Sequence, residues 1–537
     1  MPKNDPIILP EKYYLDYFNY VLEFVEKQYD HILDKPEHLF YQSFRDLSEQ
    51  AKCLYLRFSN RRGDFFRINK ISYQEIPDVH DAKEELMHQG FIRINESDDP
   101  NQFRLFTKSE LVNLFEFILP SQKKAEILEE LTEQEIQIVH ETEEIAEVLK
   151  NEEVDFIKLL FFGHRGGRMT DFVIRDVGNI KVEDLDESNF EPWFKSRDEA
   201  LSVMHISQLK RMIYELQEAN LPLADYIEDM PWETWLSFPR SAKSAEKLLL
   251  KIAYHFEQIQ LYDKALFHYS LTSKSPSRER QVRLLDKLGD KDEAISMANQ
   301  MAENPQNATE ITFSTDFLNR KGIRINRSMT ERLKNAPSIE IPNPENRVEQ
   351  AVLEYYFDQG WNGVHAENFL WRGIFGLTLW SVIFDTSHGS FHHPLQRQPS
   401  DLNDAKFFES RLESITELLE KFKSRNQLLK HLQSIYDEKY GIANRFVTWH
   451  ESLLPAITVM VEKLPLKGIK KVLLEMSKNM KENSAGFPDL FIWNESDYHF
   501  YEVKSPNDQL SAQQLFWLEF LQSAKIKVDV LRIKYTH

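Results

Sequence analysis

The sequence GFPDLFIWNESDYHFYEVK, residues 486–504, contains two apolar segments separated by a polar turn. Apolar runs of this length on either side of Asn, Glu, Ser and Asp predict a β-hairpin. Because side chains alternate between the two faces of a strand, we expect Glu502 and Lys504 on one face and Val503 in the core. The hairpin also brings Asp489, at the start of the first strand, across to Glu502 and Lys504.

These three polar side chains suit the hydrolysis of a phosphodiester. Two carboxylates, Asp489 and Glu502, supply the oxygen ligands that Mg²⁺ or Mn²⁺ prefers. A bound metal polarises the phosphate and activates a water molecule, while Lys504 can orient that water and offset the developing negative charge. A PD…ExK pattern is common by chance, and the alternative is an exposed strand that carries a charge pair.

The residues after the hairpin favour a nuclease core. Ser511-Ala512-Gln513-Gln514 has the form of a capping box that opens a helix. The apolar segment Val528–Leu531 predicts a final strand. Helix, hairpin, helix and strand follow one another in the order of the restriction-nuclease core. Gln513 and Gln514 could face the phosphate or could only complete the cap, and Asp508 could approach the site or cap the helix.

The stretch PDLFIWNESDYHFYEVKSPNDQLSAQQLFWLEFL, residues 488–521, resembles the virus-type replication-repair nuclease domain of the PD-(D/E)xK superfamily, and in particular the Fanconi-associated nuclease family. Two upstream segments, 360–367 and 377–380, resemble the part of that family that carries an acidic metal ligand. The resemblance implies that Glu367 is a third carboxylate ligand; a loop glutamate in water is the alternative. The Val503 carbonyl could supply a further oxygen ligand.

The resemblance implies a structure-selective, metal-dependent DNA nuclease. Its expected activities are 5′ flap endonuclease and 5′-to-3′ exonuclease, of the phosphodiesterase I type, on branched or flapped double-stranded DNA in repair, including interstrand crosslinks. The alternatives are a non-catalytic DNA-junction or protein-interaction scaffold and an RNA or single-strand nuclease. Family members carry a basic pocket for a 5′-terminal phosphate, which the sequence does not locate. One cysteine cannot build the ubiquitin-binding zinc finger of long eukaryotic members, which favours a bacterial member.

Upstream of the nuclease, the patterns predict helical modules. Residues 11–50 have helical periodicity. After them, helices alternate with two predicted strands, Phe65–Ile68 and Phe91–Ile94. If these strands pair as a hairpin, the arrangement is typical of a winged-helix unit, and an ordinary helical domain is the alternative. Residues 107–131 resemble a SAP module, with two short helices around Leu119-Pro120-Ser121 and the serine as a cap. Phe156–Phe162 is a candidate strand.

Residues 240–305 are predicted to be helical. Ala265 and Ala294 recur there at the start of related apolar helices, as in tetratricopeptide-like hairpins. Three prolines in 337–344 predict a linker before the nuclease. The predicted class is mainly α and multidomain, with a C-terminal α/β restriction-nuclease-like domain. The predicted domains are 1–100 (winged-helix-like, DNA-binding), 101–135 (SAP-like), 136–235 (mixed linker domain), 236–345 (tetratricopeptide-like) and 346–537 (nuclease).

The chain has 66 basic and 86 acidic residues, a formal charge of −20. Taken alone, this net charge argues against nucleic acid as a binding partner, because phosphate binding usually needs a basic surface. Much of the acid lies in Glu126–Asp155, which predicts a solvated helical face. Basic residues form three clusters, for which DNA contact and a solvated surface are the alternatives: Arg57, Arg61, Arg62, Arg67 and Lys70; Lys158, His164, Arg165 and Arg168; Lys463, Lys467, Lys470, Lys471, Lys478 and Lys481.

Other patterns exclude some settings and cofactors. The single cysteine, Cys53, indicates a reducing, intracellular environment. The N-terminus lacks the apolar core of a signal peptide, and the apolar stretch Leu370–Phe384 is too short to span a bilayer. The absence of a P-loop argues against a nucleotide cofactor. We expect a cytoplasmic, nucleoid-associated protein in a bacterium, or a nuclear one in a eukaryote. His388, His392 and His393 are interpreted as loop histidines rather than a zinc site.

Overall fold

The computed structural model describes residues 9–61, 63–178, 180–218, 222–227, 230–323, 335–344, 347–506 and 508–536. The chain forms two compact units. Unit 1 takes its residues from Met1–Asn179 and Pro192–Ser241, and unit 2 from Ile180–Glu191 and Ala242–His537. The mainly helical, multidomain class expected from the sequence is confirmed. The five domain boundaries remain predictions.

Unit 1 consists of helices around a small sheet. The helical stripe predicted in residues 11–50 is confirmed, because Phe18, Val21 and Val25 are fully buried on the first helix. The helices are α1 (Tyr13–Tyr29), α2 (Lys35–Asp46), α3 (Glu49–Ser59), α4 (Val79–His88), α5 (Lys108–Leu114), α6 (Lys124–Glu130), α7 (Glu133–Thr142), α8 (Asn151–Phe162), α9 (Thr170–Asp176), α10 (Arg197–Glu218), α11 (Ala224–Ile227) and α12 (Trp232–Ser237). The strands are β1 (Phe65–Arg67), β2 (Ile92–Ile94) and β3 (Ile145–Val148).

The strands of unit 1 do not pair as the sequence suggested. The expected hairpin of β1 with β2 is wrong, because both strands pair antiparallel with β3, which lies between them. β3 belongs to the acidic run 126–155, so the prediction that this whole run is a solvated helical face is also wrong. Its Ile145, Ala146 and Val148 are buried. A four-residue strand between two acidic helices carries too short a period-two pattern to be recognised locally.

Two further local predictions for unit 1 need correction. The SAP-like helices are confirmed as α5 and α6, but the cap of α6 is Lys123 rather than Ser121, and the Lys123 backbone N–H donates to Glu126 Oε2 at 2.8 Å. The strand predicted at Phe156–Phe162 is wrong, because these residues form the end of α8. Short apolar runs do not separate strand from buried helix, and here the run is buried against α1 and α10.

Helical hairpins open unit 2. They are α13 (Pro239–Gln258, which begins in unit 1), α14 (Tyr262–Ser270), α15 (Ser277–Leu288), α16 (Lys291–Glu303) and α17 (Ala308–Arg320). Ala265 and Ala294 have no exposed surface and lie in the first turns of α14 and α16. The small side chains permit close helix packing, so the helical prediction for residues 240–305 is confirmed.

The remainder of unit 2 is an α/β domain. Its helices are α18 (Val348–Phe357), α19 (Glu367–Thr378), α20 (Trp380–Ile383), α21 (Ala405–Lys421), α22 (Arg425–Lys439), α23 (Leu453–Lys463), α24 (Leu466–Lys478), α25 (Met480–Asn483) and α26 (Ala512–Ser523). Its strands are β4 (Ser338–Pro342), β5 (Asn362–His365), β6 (Leu490–Trp493), β7 (Tyr498–Lys504) and β8 (Val528–Thr536). Within the described parts of both units, no helix is long and apolar enough to cross a membrane.

The five strands form a mixed sheet in the order β4-β8-β7-β6-β5. β5, β6 and β7 are antiparallel neighbours, whereas β8 runs parallel to both β7 and β4. One face packs against α18 through Leu490, Ile492 and Val503. On the other face, Trp371 of α19 stacks on Phe500. The predicted hairpin, capping box and final strand are all confirmed.

The predicted linker at 337–344 is wrong in its central part. Ser338–Pro342 forms β4, the edge strand beside β8. The pairing joins residues almost two hundred positions apart, for example Ile339 with Ile533. No local pattern reports such a partner, and the three prolines favoured an irregular segment. Pro342 is tolerated because it ends an edge strand, where an N–H that points away from the sheet has no partner to lose.

Candidate active site

The β6–β7 hairpin places Asp489 beside Glu502. Leu490 and Tyr501 face each other in the antiparallel register, so Asp489 and Glu502 follow as the next positions outward. Asp489 Oδ2 accepts a hydrogen bond from the backbone N–H of Val503 at 2.8 Å. Strand pairing therefore sets the position of both carboxylates. Val503 itself is buried in the core, as expected.

Glu502 lies in a closed polar environment with Lys504. The two residues are 1% and 7% exposed. Lys504 Nζ lies 3.0 Å from Glu502 Oε1, and Gln514 Nε2 donates to the same oxygen. Glu502 Oε2 is buried and receives no hydrogen bond from any residue that the structure describes. The carboxylate thus has one oxygen with two donors and a second oxygen with none.

Burial changes the acidity of both carboxyl groups. It raises the pKa of Glu502 to about 8, with a further increase from the charge of Asp489 and an opposing effect of Lys504. Burial also raises the pKa of Asp489, against the Val503 N–H bond, which lowers it. The nearby charges of Glu349 and His365 act on Asp489 in opposite directions. A further positive charge beside Lys504, such as a bound cation, would favour the ionised form of Glu502 at neutral pH.

These residues fit a divalent metal ion. Oxygen donors are what a hard cation prefers, and Glu502 Oε2 is a buried acceptor without a donor. The fit is incomplete in one respect: among the described residues, no group of three or more His, Cys, Asp or Glu side chains is arranged to hold a metal. The structure brings together two carboxylates, and the remaining ligands would be backbone oxygens, water or the phosphate.

Glu367, the implied third carboxylate, adjoins the site through its backbone only. The backbone N–H groups of Ala366 and Glu367 donate to the Asp489 carbonyl at 2.7 and 3.1 Å. The Glu367 side chain is exposed and accepts from Asn368 Nδ2 at 3.1 Å. Its φ of +33° is rare outside glycine. Such strain at a position held by Asp489 is a feature of functional sites, and the role of Glu367 remains a prediction.

The structure resolves the alternatives for the residues after the hairpin. Gln514 completes the capping box with Ser511 and also contacts Glu502 and Lys504. Gln513 instead donates to the Glu482 carbonyl. Asp508 accepts from the Ser505 backbone N–H at 2.9 Å, so it closes the turn after β7 and does not cap α26.

Ion pairs engage much of the first two basic clusters. Arg57 pairs with Glu75, and Arg67 pairs with Glu143 and, at 2.8 Å, with Glu110. In the second cluster Arg165 pairs with Asp155 at 3.0 Å, and burial lowers the pKa of His164 and of Lys158. Arg62 lies outside the described residues. These pairs favour a structural role for Arg57, Arg67 and Arg165.

The third cluster remains largely uncompensated. Lys467, Lys470 and Lys471 lie on one face of α24 and have no carboxylate within ion-pair distance in the described parts of the chain. Lys478 and Lys481 pair with the neighbouring Glu475 and Glu482 at 2.8 and 3.3 Å, respectively. The face of α24 is therefore a positively charged surface within unit 2.

Sequence reasoning missed a fourth basic group, which joins distant segments. Burial lowers the pKa of Lys247 on α13, and the charges of Lys243, Lys274 and Lys481 lower it further. Lys243 and Lys274 pair with Asp404 and Glu246, whereas Lys247 has no ion-pair partner among the described residues. We call these four lysines the α13 lysine group. Since they are scattered over more than two hundred residues, only the fold reveals them.

The histidines are not arranged as a zinc site. His392 and His393 are buried in the loop after a short 3-10 helix, Thr386–His388. The backbone N–H of His392 donates to Gln396 Oε1 at 2.5 Å, and a fully buried Arg411 pairs with Asp401 at 2.7 Å in the same loop region. These contacts make the segment a polar structural core.

The mixed sheet, whose β6–β7 hairpin brings Asp489 next to Glu502 and Lys504 of β7, has the restriction-nuclease-like fold. Two family descriptions match the chain: "FAN1, HTH domain" over residues 12–93 and "VRR-NUC domain" over residues 423–534. The Fanconi-associated nuclease 1 homolog of Pseudomonas aeruginosa is 27% identical over 554 residues, which cover 100% of this chain and 98% of the relative. The chain is similar over its whole length to Fanconi-associated nucleases, and the matched VRR-NUC domain implies a divalent metal cofactor.

More distant relatives and a solved structure agree with this assignment. The Fanconi-associated nuclease 1 homolog of Arabidopsis thaliana is 25% identical over 596 residues, which are 96% of this chain and 66% of the relative. The crystal structure of paFAN1 bound to 2nt 5′ flap DNA with gap is similar with a TM-score of 0.88 at 25% identity. That similarity covers 99% of this chain and 100% of the paFAN1 chain.

Proposed function

We propose that the protein is a structure-selective DNA nuclease that cuts 5′ flaps and degrades DNA in the 5′-to-3′ direction. Its reaction is metal-dependent phosphodiester hydrolysis of the phosphodiesterase I type, in DNA repair that includes interstrand crosslinks. The observation that carries the proposal is the partly buried Asp489 beside the buried Glu502 and Lys504. Two carboxyl groups at one buried place are costly to ionise unless a cation binds between them.

The residues of this chain have distinct roles in the proposed reaction. Asp489 and Glu502 would hold Mg²⁺ or Mn²⁺, with the Val503 carbonyl and a rotated Glu367 side chain as further ligands. When bound, the ion supplies Lewis-acid stabilisation and a more acidic water. Lys504 would orient the attacking water and stabilise the negative charge that develops on the phosphate. The β6–β7 hairpin holds these groups in place before substrate binds.

Flapped double-stranded DNA is the proposed substrate. The similar paFAN1 structures contain 5′ flap DNA with gap. The α13 lysine group and the lysine face of α24 would bind phosphates, which position a duplex without reading its sequence. The formal charge of −20 does not oppose this, because both positive surfaces are local to unit 2. The proposed location is the DNA of the cell: the nucleoid in a bacterium, the nucleus in a eukaryote.

The test is cleavage of an end-labelled 5′-flap duplex in Mg²⁺ or Mn²⁺ by the wild type and by Asp489→Ala. We expect incision near the junction that requires the metal and disappears in the variant.

A second experiment compares a 5′-phosphorylated with a 5′-hydroxyl flap, each cut by the wild type and by Lys247→Ala. It tests whether the α13 lysine group binds the terminal phosphate. A preference for the phosphorylated flap that Lys247→Ala removes would assign it that role.

Two results would replace the proposal. Tight flap binding without cutting by either protein would favour a non-catalytic junction-binding scaffold. Cutting of a single-stranded RNA control, with the flap duplex left intact, would retain Asp489 and Glu502 as the site and overturn the substrate. Cleavage that persists in Asp489→Ala would remove the β6–β7 hairpin as the catalytic centre.

A further inference from the structure

Gln514, the third residue of α26, contacts both charged residues of the candidate site. Its Nε2 donates to Glu502 Oε1, and its Oε1 accepts from Lys504 Nζ at 3.1 Å. The same Oε1 accepts from the Ser511 backbone N–H at 2.9 Å, while Ser511 Oγ accepts from the Gln514 backbone N–H at 3.2 Å. One amide therefore closes the N-terminus of the helix and joins the carboxylate to the lysine.

These partners fix the orientation of the amide. Its oxygen receives two donors, an ammonium group and a backbone N–H, and its nitrogen faces a carboxylate. If the amide were flipped, its N–H groups would face two donors and its oxygen would face Glu502. An amide oxygen has two acceptor sites, so both are occupied in the observed orientation. The capping geometry of α26 thus sets the direction of the donor aimed at Glu502.

A second capping box in unit 2 shows that this contact is not required by the cap. Ser424 and Gln427 form the same Ser-x-x-Gln box at the start of α22. Gln427 Oε1 accepts from the backbone N–H groups of Lys423 and Ser424 at 2.6 and 3.2 Å. No contact of Gln427 with Asp489, Glu502 or Lys504 occurs in the described structure. The bridge to two charged side chains is therefore an additional property of Gln514.

We propose that Gln514 is a positioning residue that orients Glu502 and Lys504 for metal binding and catalysis. Gln514 Nε2 and Lys504 Nζ both engage Glu502 Oε1, so the bridge holds the carboxylate with Oε2 on the side that carries no donor. Gln514 Oε1 also holds the ammonium group of Lys504 at a fixed place beside the carboxylate. Outer contacts of this kind orient metal ligands and strengthen their affinity. This inference rests on the proposed metal-dependent function.

The test compares Gln514→Ala with Gln427→Ala, which breaks the matched capping box away from the site. Mn²⁺ binding is measured by titration calorimetry on the full chain without DNA, and thermal unfolding and flap cleavage are measured in parallel. We expect both variants to lower Tm to a similar extent, since both lose a cap. Only Gln514→Ala should weaken Mn²⁺ affinity and lower kcat, each by about 10- to 100-fold, with little change in KM.

Two further variants make the result decisive. Ser511→Ala removes the hydroxyl acceptor of the cap but retains the bridge, so it should lower Tm and leave Mn²⁺ affinity unchanged. Gln514→Met keeps a good helix former of similar length and replaces Gln514→Ala if that protein does not fold. If Gln514→Ala and Gln427→Ala lower Tm equally and both keep the wild-type Mn²⁺ affinity and kcat, Gln514 only caps α26 and the positioning role is wrong.

The two hypotheses fail in different ways. A wild type that cuts the flap while Gln514→Ala binds Mn²⁺ and cuts equally well overturns only the role of Gln514. A wild type that cuts no flap but binds Mn²⁺ more tightly than Gln514→Ala overturns the proposed substrate and leaves the positioning role intact. A wild type that neither cuts DNA nor binds Mn²⁺ overturns both.

Discussion

Buried charged side chains have different surroundings in unit 1 and at the centre of the nuclease sheet. In unit 1, Arg67 is 9% exposed in its side chain and pairs with two carboxylates, Glu110 and Glu143. Lys83 is 4% exposed and pairs with Glu144 at 2.8 Å. At the nuclease centre, two carboxylates, Asp489 and Glu502, adjoin a single lysine. Carboxylates outnumber the cations in both regions, but Glu110 and Glu143 are partly exposed and the pKa of Glu110 is lowered to about 2, whereas Glu502 is buried and its pKa is raised to about 8.

This difference separates structural from functional charge. A buried ion pair needs no outside partner, and its loss leaves an uncompensated charge that destabilises the fold. A buried carboxylate such as Glu502 is costly to ionise in the free protein, and its ionised form becomes favourable when a cation binds. The same reasoning changes the interpretation of the first basic cluster. Arg57 and Arg67 stabilise the fold of unit 1 through their ion pairs, which makes them weaker candidates for DNA contacts.

The largest expected effect comes from removing one carboxylate at the nuclease centre. Asp489→Asn keeps an acceptor for the Val503 N–H and removes the charge, so we expect flap cleavage to fall by at least about 10³-fold without loss of Tm. Single-turnover cleavage and thermal unfolding measure the two quantities. The control is Asp497→Asn in the turn of the same hairpin, where the carboxylate pairs with Lys527. Equal cleavage by both variants would contradict the comparison.

A large loss of stability is expected when the buried arginine of the unit 1 ion pairs is removed. Arg67→Met leaves Glu110 and Glu143 without their partner and should lower the free energy of unfolding by about 3 kcal/mol. Arg93→Met removes a more exposed arginine, 41% exposed, that pairs with Glu147, and should cost under about 1 kcal/mol. Urea unfolding measures both. If Arg93→Met were the more damaging change, burial would not explain the difference.

The pH dependence of stability should reveal the raised pKa of Glu502. In the metal-free protein Glu502 titrates near pH 8 in the folded state against about 4.5 when unfolded. As pH rises from 4.5 to 8, the unfolded chain loses this proton first, so stability falls through that window, on the order of a few kcal/mol. Glu502→Gln should be more stable than wild type at pH 8 and equal to it near pH 4.5. Saturating Mn²⁺ should restore wild-type stability at pH 8, and a pH-independent difference would be inconsistent with this account.

The smallest effect concerns the uncompensated lysines. Lys247→Ala should remove about one phosphate contact and so reduce the slope of log K against log salt by roughly 0.9, with a modest loss of DNA affinity. Arg211→Ala, whose side chain pairs with Glu215 on the surface of unit 1, should leave the slope unchanged. Fluorescence anisotropy of a labelled flap duplex between low and physiological salt measures both. Identical slopes for wild type and Lys247→Ala would exclude Lys247 from the interface.

Much of the local structure and the central motif could be predicted from the sequence. The hairpin of β6 and β7, the capping box of α26 and the helices of residues 11–50 and 240–305 all depend on periods of two or 3.6 residues within a short window. The spacing of Asp489, Glu502 and Lys504 along that hairpin was enough to place the carboxylates together, because an antiparallel register links positions in the same short segment.

Tertiary structure alone decided which charges remain uncompensated and that the segments of β3 and β4 become strands. β3 and β4 find partners far away in sequence, and Phe156–Phe162 is helical because it is buried against α1 and α10. Arg67 meets Glu143, and Lys247 meets Lys481, across distances in sequence that no local window covers. The physical reason is that backbone periodicity is local, whereas the free energy of a charge depends on every group packed around it.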